Sequence, residues 1–240
     1  MKNIFESVYP FTTEDISSYF PVLNMQDKSI LTAGSSGDQA FNALLLGAGK
    51  VTLYDVSPNT YEFVNLKKDI ILKYPRKKAY KEILKIEEVP LNKDCFSYKD
   101  IVKMNPYFTD DESYEKLREK LKTEEIEFVI GDIFKMNHYL DNEKYDRIIF
   151  SNILQYIDYF ATINGYEGRK EEFLKENFNE WITHLKDDGI IQLMYLYSIT
   201  AQNNEIIDLC NALAGNPIIR YRFNNVANQR DSAILTYQKR

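Results

Sequence analysis

The sequence has few cysteines and histidines and no long apolar run, and each absence excludes a class of protein. Neither of its two cysteines, Cys95 and Cys210, lies in a C-x-x-C pair, so we expect neither a disulfide framework nor a zinc cluster. The two histidines, His138 and His184, are far apart in sequence, and we expect no metal site. No apolar run reaches the roughly 18 residues of a transmembrane helix. The N-terminal stretch MKNIFESVYPFTTED lacks the basic-then-apolar order of a signal peptide, so we expect a cytoplasmic location.

Positive charge is also scarce. The chain of 240 residues has 30 lysines and arginines against 36 acidic residues, a formal net charge of −6. This balance disfavours a general grip on nucleic-acid backbones, so we expect no duplex nucleic acid as a partner. The dense basic stretch KYPRKKAYK, residues 73–81, is either a solvated face or a contact for an anionic acceptor or a membrane surface. With 44% hydrophobic and 28% charged residues, the chain can bury a globular core.

Short apolar runs alternate with helical periodicity along the chain. SILTA, residues 29–33, is too short for a helix and is followed by a glycine, which predicts a buried strand. DQAFNALLLGAG then has helical spacing, and KVTLYDVSP returns to β-branched and aromatic residues before it breaks at a proline. A strand, a helix and a second strand at this spacing predict a parallel crossover unit.

The same alternation predicts the rest of the fold. Further strands are predicted at 126–134, 145–157, 187–197, 218–224 and 232–239, and further helices at 59–74, 170–185 and 204–215. The last two strands are separated by a short polar segment, which favours an antiparallel pair. We therefore predict a single domain, 1–240, with a doubly wound α/β fold. Its sheet would be mostly parallel, seven-stranded and Rossmann-like, with an antiparallel C-terminal strand.

Two long connections exceed this minimal alternation, and a helical segment precedes it. Residues 1–27 are predicted to form an N-terminal helical segment, in which Thr12 has the spacing of a helix cap. Residues 73–123 form a helical insertion, and 158–170 form a glycine-punctuated aromatic loop. Long connections in a compact domain are usually functional or disordered. Because both would emerge near the carboxyl ends of the strands, we expect them to form the acceptor pocket or its lid.

The turn after the first predicted strand has the composition of a ligand-binding loop. It reads Gly34, Ser35, Ser36, Gly37, Asp38, and a nucleotide-binding turn needs glycine so that backbone can approach the ligand. Ser36 stands where the dinucleotide fingerprint G-x-G-x-x-G has its second glycine. Asp38 at a helix N-terminus would repel a phosphate and attract an ammonium or sulfonium group. Alternatively, Asp38 only complements the helix dipole.

Carboxylates also follow the second and third predicted strands. Asp55 ends the second strand 21 residues after Gly34, where a carboxylate can accept both hydroxyls of a ribose. The alternative is a residue that starts the following turn. Asp132 follows the third strand and can hydrogen-bond an adenine amino group. With the adjacent Val56 and Ile133, these carboxylates predict a site for an adenosine-containing ligand.

The segments ILTAGSSGD, VTLYDVSP, VIGDIF, YDRIIFSNILQYI and HLKDDGIIQL resemble class I S-adenosylmethionine-dependent methyltransferases in order and spacing. The resemblance covers residues 28–240, interrupted by the insertion, and implies S-adenosyl-L-methionine as the cofactor. The cofactor residues that it implies are Gly34, Ser35, Ser36, Gly37, Asp38, Asp55, Val56, Asp132, Ile133 and Asn152. The family often has an acidic residue two positions before the first glycine, where this chain has Thr32. We therefore expect Asp38 to hold the methionine ammonium instead.

A narrower family shares more of the sequence. The run from ILTAGSSGDQ to KKDIIL and the segment FSNILQY are similar to the betaine-lipid synthases. These enzymes transfer the aminocarboxypropyl arm of S-adenosylmethionine to a diacylglycerol hydroxyl. In that family the first turn also ends in a run like Ser-Gly-Gly-Asp-Asn, and a Leu-Lys pair follows the second strand, as Leu66-Lys67 does here. The chain is shorter than the fused members of the family, so its acceptor need not be a lipid.

Residues after the fourth predicted strand are expected on the acceptor side. Asn152 can contact a substrate heteroatom or the cofactor, and Tyr156 and Asp158 are the candidates for a general base. Three functions stay open. They are methyl transfer to a small or amphipathic acceptor, aminocarboxypropyl transfer that releases methylthioadenosine, and S-adenosylmethionine binding without catalysis.

Two other features are predicted to be structural. MNPYF, residues 104–108, resembles the Asn-Pro-Pro-Tyr loop of amino-group methyltransferases. That loop follows the fourth strand in those enzymes, whereas MNPYF precedes the third, so a turn in the insertion is the better interpretation. Trp181 lies in a predicted amphipathic helix and is expected in the core.

Overall fold

The computed structural model describes residues 8–86, 97–150, 153, 157–197, 219–224 and 231–239. Cys95, Cys210 and the helix predicted over 204–215 lie outside these residues. The chain divides into two compact units, Met1–Gly131 and Asp132–Arg240. In the part of the chain that is described, no helix is long and apolar enough to cross a membrane.

The first unit is built on three parallel strands. They are β1 (Ser29–Ala33), β2 (Lys50–Asp55) and β3 (Ile126–Ile130), in the order β3-β2-β1. Most residues of β1 and β2 are buried, as their apolar composition predicts, whereas β3 is largely exposed or half-buried. The third strand ends before the predicted boundary at residue 134, because Gly131 donates its N–H to the Asp55 carbonyl oxygen and the chain then turns.

Six α-helices are described in this unit. They are α1 (Ile16–Tyr19), α2 (Asp38–Leu45), α3 (Pro58–Lys73), α4 (Arg76–Leu84), α5 (Tyr98–Met104) and α6 (Asp111–Thr123). The predicted cap at Thr12 is wrong. The first helix begins only at Ile16, and the Thr12 hydroxyl accepts from the Glu14 N–H at 3.1 Å. The local spacing gave a wrong helix cap because the Thr12 N–H donates to a side chain distant in sequence, that of Asp38.

The insertion is helical, as predicted, and packs on α2 and α3. Asn42 on α2 donates its side-chain amide to Asn105 Oδ1 at 3.0 Å and accepts the Tyr107 N–H at 3.1 Å. Within the basic stretch, Arg76 donates to the Asp111 carboxylate at 2.7 Å and to two backbone carbonyls of the insertion. Arg76 therefore holds the insertion together, which leaves the neighbouring lysines as the solvated part of the stretch.

The second unit carries the antiparallel part of the sheet. Its strands are β4 (Tyr145–Phe150), β5 (Leu185–Tyr197), β6 (Ile219–Asn224) and β7 (Asp231–Gln238), in the order β4-β5-β7-β6. Strands β4 and β5 are parallel, whereas β7 is antiparallel to both β5 and β6. The described residues thus form seven strands, and the predicted antiparallel C-terminal pair is confirmed.

The α-helices of the second unit are α7 (Met136–Tyr139), α8 (Ile157–Ile163) and α9 (Lys170–Thr183), and α8 corrects two predictions. The fourth strand, predicted to end at residue 157, ends at Phe150, and Ile157 begins α8. Residues 158–163, predicted as loop, belong to α8, because Ile157 and Ala161 are buried at helical spacing and α8 packs on α9. Only 164–169 form a turn, in which Gly165 and Gly168 have positive φ.

Candidate functional site

The chain reverses between β1 and α2 in a tight turn. Gly34 donates its N–H to the Tyr54 carbonyl oxygen at 2.8 Å, and Gly37 donates to the Gly34 carbonyl oxygen at 2.7 Å. Two residues of the turn, Ser35 and Gly37, have positive φ angles of 41° and 77°. Glycine accounts for the second, whereas Ser35 adopts the left-handed region despite its side chain, which requires support from the surroundings.

Part of that support comes from Asp55 at the end of β2. Its Oδ2 accepts the Ser35 N–H at 3.1 Å, and its Oδ1 accepts the Ser57 N–H at 3.0 Å. A Cβ on Gly34 would lie 2.8 Å from Thr60 Cγ2 and 3.1 Å from Asp55 Oδ2. Gly34 is predicted to let a ligand approach the backbone. In the structure, its missing side chain leaves room for the Asp55 carboxylate instead. The turn and Asp55, predicted as one site from sequence spacing, are in direct contact.

Apolar side chains are exposed beside Asp55. Val56 is 67% exposed, and Ile130, paired with Asp55 in the strand register, is 50% exposed. A half-buried carboxylate between exposed apolar side chains can bind a sugar through its oxygens and a flat ring on its apolar neighbours. The sequence reasoning identified Val56 but missed Ile130. Ile130 could have been identified from its position, because it lies at the end of β3, the strand adjacent to β2.

The carboxylate of Asp38 does not face a ligand. It is fully buried, and it accepts from Lys67 Nζ at 2.5 Å, from the Tyr107 hydroxyl at 2.5 Å and from the Thr12 N–H at 2.6 Å. The Ser36 hydroxyl lies 3.1 Å from the same carboxylate. The role predicted for Asp38 as holder of a methionine ammonium does not fit this geometry, because the ammonium that it binds belongs to Lys67.

Lys67 is buried as completely as Asp38. Besides Asp38, its ammonium donates to the Ser36 carbonyl at 3.0 Å and to the Pro10 carbonyl at 2.8 Å, and it lies 4.5 Å from the centre of the Phe11 ring. Burial lowers the pKa of Lys67, and the charge and hydrogen bond of Asp38 oppose that shift. Sequence reasoning noted Lys67 only through a family likeness.

Helical periodicity could have placed Lys67 inside. The buried residues of α3 include Phe63, Val64 and Ile71, and Lys67 lies on the same face of the helix, three or four residues from each. A lysine on an apolar face is usually solvated through its long side chain, so this signal was easily overlooked.

Tyr107 brings the insertion into the same cluster. The tyrosine is fully buried within the turn Pro106–Phe108, so the structural interpretation of MNPYF is confirmed. Burial raises the pKa of its hydroxyl well above the ordinary value, and the charge and hydrogen bond of Asp38 act in the same direction. The Tyr107 hydroxyl is therefore a permanent donor to Asp38 at neutral pH.

The second unit contains the other predicted cofactor residues. Asp132 is half-buried, and its Oδ1 accepts the Phe134 N–H at 3.0 Å. Ile133 is only 7% exposed, and its carbonyl oxygen accepts from Trp181 Nε1 at 3.0 Å. Trp181 is buried in the core, as predicted, and it holds the backbone immediately after Asp132.

The predicted acceptor-side residues are only partly described. Asn152 and Tyr156 lie outside the described residues. Asp158, on α8, is 80% exposed, and its carboxylate lies 3.7 Å from Lys170 Nζ. Because this contact does not point to a catalytic role, Asp158 stays a candidate on sequence position alone.

Comparisons with known proteins agree with this architecture. The chain is similar to the N-methyltransferase NodS from Bradyrhizobium japonicum WM9 in complex with S-adenosyl-L-homocysteine. That similarity has 11% identity, covers 92% of this chain and 84% of the other, and gives a TM-score of 0.50. A methyltransferase from Pyrococcus furiosus gives 14% identity, coverage of 93% and 82%, and a TM-score of 0.50. No model of a protein family and no curated protein matches the chain. These likenesses confirm the predicted fold class, a Rossmann-like α/β fold with a mostly parallel sheet.

Proposed function

We propose that the protein is an S-adenosyl-L-methionine-dependent transferase, and that it is a methyltransferase acting on a small or amphipathic acceptor. The observation that carries the proposal is the contact between the first turn and Asp55. A carboxylate held by two backbone N–H groups, beside the exposed side chain of Val56, suits an adenosine. The turn also departs from the dinucleotide fingerprint, because Ser36 stands where that fingerprint has its second glycine.

Three side chains of the first unit have proposed parts in binding the adenosine. Asp55 accepts the ribose hydroxyls, and Val56 and Ile130 contact the adenine ring. Gly34, Ser35 and Gly37 stay proposed cofactor residues, and the half-buried Ser35 is the one residue of Gly34–Asp38 that is not buried. Asp132, Ile133 and Asn152 stay proposed cofactor residues. When bound, S-adenosylmethionine supplies the methyl group on a sulfonium.

The acceptor side is proposed from position and exposure. Methyl transfer requires alignment of the acceptor and, where the acceptor is protonated, a nearby base. Asn152, Tyr156 and Asp158 stay the candidates for these tasks. On α8, Tyr159 and Ile163 are 63% and 57% exposed, which suits an amphipathic acceptor better than a fully polar one.

Aminocarboxypropyl transfer is the second candidate function, and one contact favours it. The two features shared with the betaine-lipid synthases, the Asp of the first turn and the Lys after the second strand, are the residues that form the Asp38–Lys67 ion pair. This ion pair gives a physical reason for the Asp and the Lys to occur together in one family. It supports the narrower likeness without identifying an acceptor.

Product analysis separates the candidate reactions. The protein is incubated with S-adenosylmethionine and a cell extract, and the nucleoside products are identified by mass spectrometry. S-adenosylhomocysteine indicates methyl transfer, whereas methylthioadenosine indicates aminocarboxypropyl transfer. Binding without turnover across extracts would favour a non-catalytic S-adenosylmethionine-binding protein.

The cofactor itself is tested at Asp55. We expect Asp55→Ala to weaken S-adenosylmethionine binding by at least ~1.5 kcal/mol, about tenfold in Kd, because hydrogen bonds to a charged group are lost. Isothermal titration calorimetry measures the change, with Asp69→Ala as a control for removing an exposed acidic residue on α3. Binding of NAD without binding of S-adenosylmethionine would contradict the proposal.

A further inference from the structure

In the described part of the chain, β3 lies at one edge of the sheet. The strand order begins β3-β2-β1, and β3 pairs with β2. An edge strand leaves a row of backbone N–H and C=O groups available to another strand. Gly131 donates its N–H to the Asp55 carbonyl oxygen. Because backbone groups alternate in direction along a strand, those of Ile126, Phe128 and Ile130 point away from β2.

This edge has little of the protection that edge strands usually have. Proteins shield such edges with charged side chains, proline or bulges. The sequence of β3 is IEFVI, which has no proline, and its register with β2 is regular. Its one charged residue, Glu127, binds Lys50 Nζ at 3.0 Å and accepts the Thr52 hydroxyl at 3.0 Å. The edge is therefore mostly apolar, and its single charge is compensated by β2.

Apolar side chains extend this edge onto one face of the sheet. Ile130 is exposed, and Ile126 and Phe128 are half-buried on the same face. Tyr61 of α3 is 49% exposed and contacts Phe128, with ring centroids 5.3 Å apart. These four side chains form a continuous apolar stripe, and exposed stripes of this kind mark contacts with other molecules.

We propose that the β3 edge binds the β3 edge of a second copy of this chain, so that the sheet continues across a twofold dimer. The occupant follows from the sequence of the strand. When β3 pairs antiparallel with itself about its central residue, Phe128, Ile126 lies opposite Ile130 of the second copy. The outward backbone groups of Ile126, Phe128 and Ile130 then meet their counterparts, and each residue pair exchanges two hydrogen bonds.

Side chains and charges fit the same register. On the face of the stripe, Phe128 lies opposite its own copy and Ile126 lies opposite Ile130, so apolar groups meet apolar groups. On the other face, Glu127 lies opposite Val129 of the second copy. The two glutamates are therefore not directly opposite each other, where like charges would destabilise the pair. An unrelated peptide would have to match this pattern, whereas a second copy of the chain supplies it.

The pairing is compatible with the proposed cofactor site and does not depend on it. It uses the side of β3, whereas the proposed adenine contact of Ile130 lies at the carboxyl end of the strand. A monomer could still bind S-adenosylmethionine and a dimer need not, so the two proposals are tested separately.

Sedimentation velocity over a series of protein concentrations tests the dimer. We expect the wild type to reach the mass of two chains. Ile126→Pro removes an outward N–H from each copy and leaves the bonds to β2, because proline is tolerated where the N–H of an edge strand faces solvent. Its dimer dissociation constant should rise at least about tenfold. Ile126→Val keeps the N–H and the apolar face and should leave the mass unchanged.

Cysteine cross-linking tests the register. In a background with Cys95→Ser and Cys210→Ser, Phe128→Cys places the new thiol opposite its own copy. The two Cα atoms are then about 5.5 Å apart, within the range of a disulfide. Ile126→Cys is the matched control, because its two copies would lie roughly 13 Å apart along the strands. After oxidation, non-reducing electrophoresis should show a covalent dimer for Phe128→Cys and not for Ile126→Cys.

Circular dichroism checks that each variant is folded. Should Phe128→Cys be unfolded, a mixture of Glu127→Cys and Val129→Cys takes its place, since these two residues lie opposite each other in the proposed pair. A wild type that sediments as a monomer at every concentration would overturn the proposal. Undiminished dimerisation of Ile126→Pro would place the contact on another surface, and equal cross-linking of the Phe128→Cys and Ile126→Cys variants would show that the strands do not pair about Phe128. Either result also overturns the proposal.

Discussion

Lys67→Met should lower the free energy of unfolding by about 3–5 kcal/mol, because it leaves the Asp38 carboxylate buried without its counter-ion. Methionine is one atom shorter than lysine and fills most of the space of its side chain beside the Phe11 and Phe41 rings, which lie 4.5 and 5.8 Å from the ammonium. The predicted loss is therefore electrostatic rather than a cavity. Urea unfolding followed by circular dichroism at neutral pH measures it.

Two variants control this measurement. Adding Asp38→Asn to Lys67→Met should restore about 1–3 kcal/mol, since the uncompensated charge is removed and residues in one network couple by about this amount. Lys73→Met, at an exposed position on the same helix, should change the free energy of unfolding by no more than about 0.5 kcal/mol. A loss below about 1 kcal/mol for Lys67→Met would mean that the ion pair contributes little to folding.

The strands could be predicted from sequence because their signals are local. The run Ser29–Ala33 is mostly apolar, and Gly34 follows it directly. Strand β2 is likewise rich in β-branched and aromatic residues, and Pro58 lies shortly after it. The spacing between Gly34 and Asp55 is likewise set by one short helix, so local sequence alone is enough to predict that the two residues lie close together.

The buried cluster could not be predicted in the same way. Asp38 was interpreted from its neighbours as a residue facing a ligand, whereas its partners lie 29 residues away at Lys67 and 69 residues away at Tyr107. Nothing in a single sequence states that two distant ionisable residues compensate each other. The net charge at the N-terminus of α2 therefore depends on Lys67 of another helix as well as on Asp38 of α2 itself.

The segment after β4 shows a different limit. Glycines and aromatic residues indicated a loop over 158–170, but α8 begins at Ile157 and continues to Ile163. Its buried side chains are Ile157 and Ala161, and the half-buried Phe160 ring lies 4.8 Å from that of Phe134 within the same unit. This tertiary packing outweighs the weak local preference for a loop. Gly165 and Gly168 lie in the turn that follows the helix.

Trp181→Ala should be the most damaging single substitution in the second unit, lowering the free energy of unfolding by about 3–5 kcal/mol. The indole is fully buried and contacts three aromatic rings, those of Phe134, Phe150 and Phe178, with centroids 5.9, 4.5 and 6.2 Å away. Because Trp181 is the single tryptophan of the chain, urea unfolding must be followed by circular dichroism instead of fluorescence. Asn179→Ala, exposed on the same helix, is the matched control.

Trp181→Phe separates packing from the hydrogen bond and extends the prediction to the cofactor. Phenylalanine keeps most of the aromatic contacts but leaves the Ile133 carbonyl without the donor that lies 3.0 Å away in the wild type, a loss of about 1–3 kcal/mol. Because that carbonyl fixes the backbone next to Asp132, the proposed adenine contact, S-adenosylmethionine binding should weaken in parallel. Unchanged binding by a destabilised Trp181→Phe would show that the segment after Asp132 contributes to the core of the second unit and not to the cofactor site.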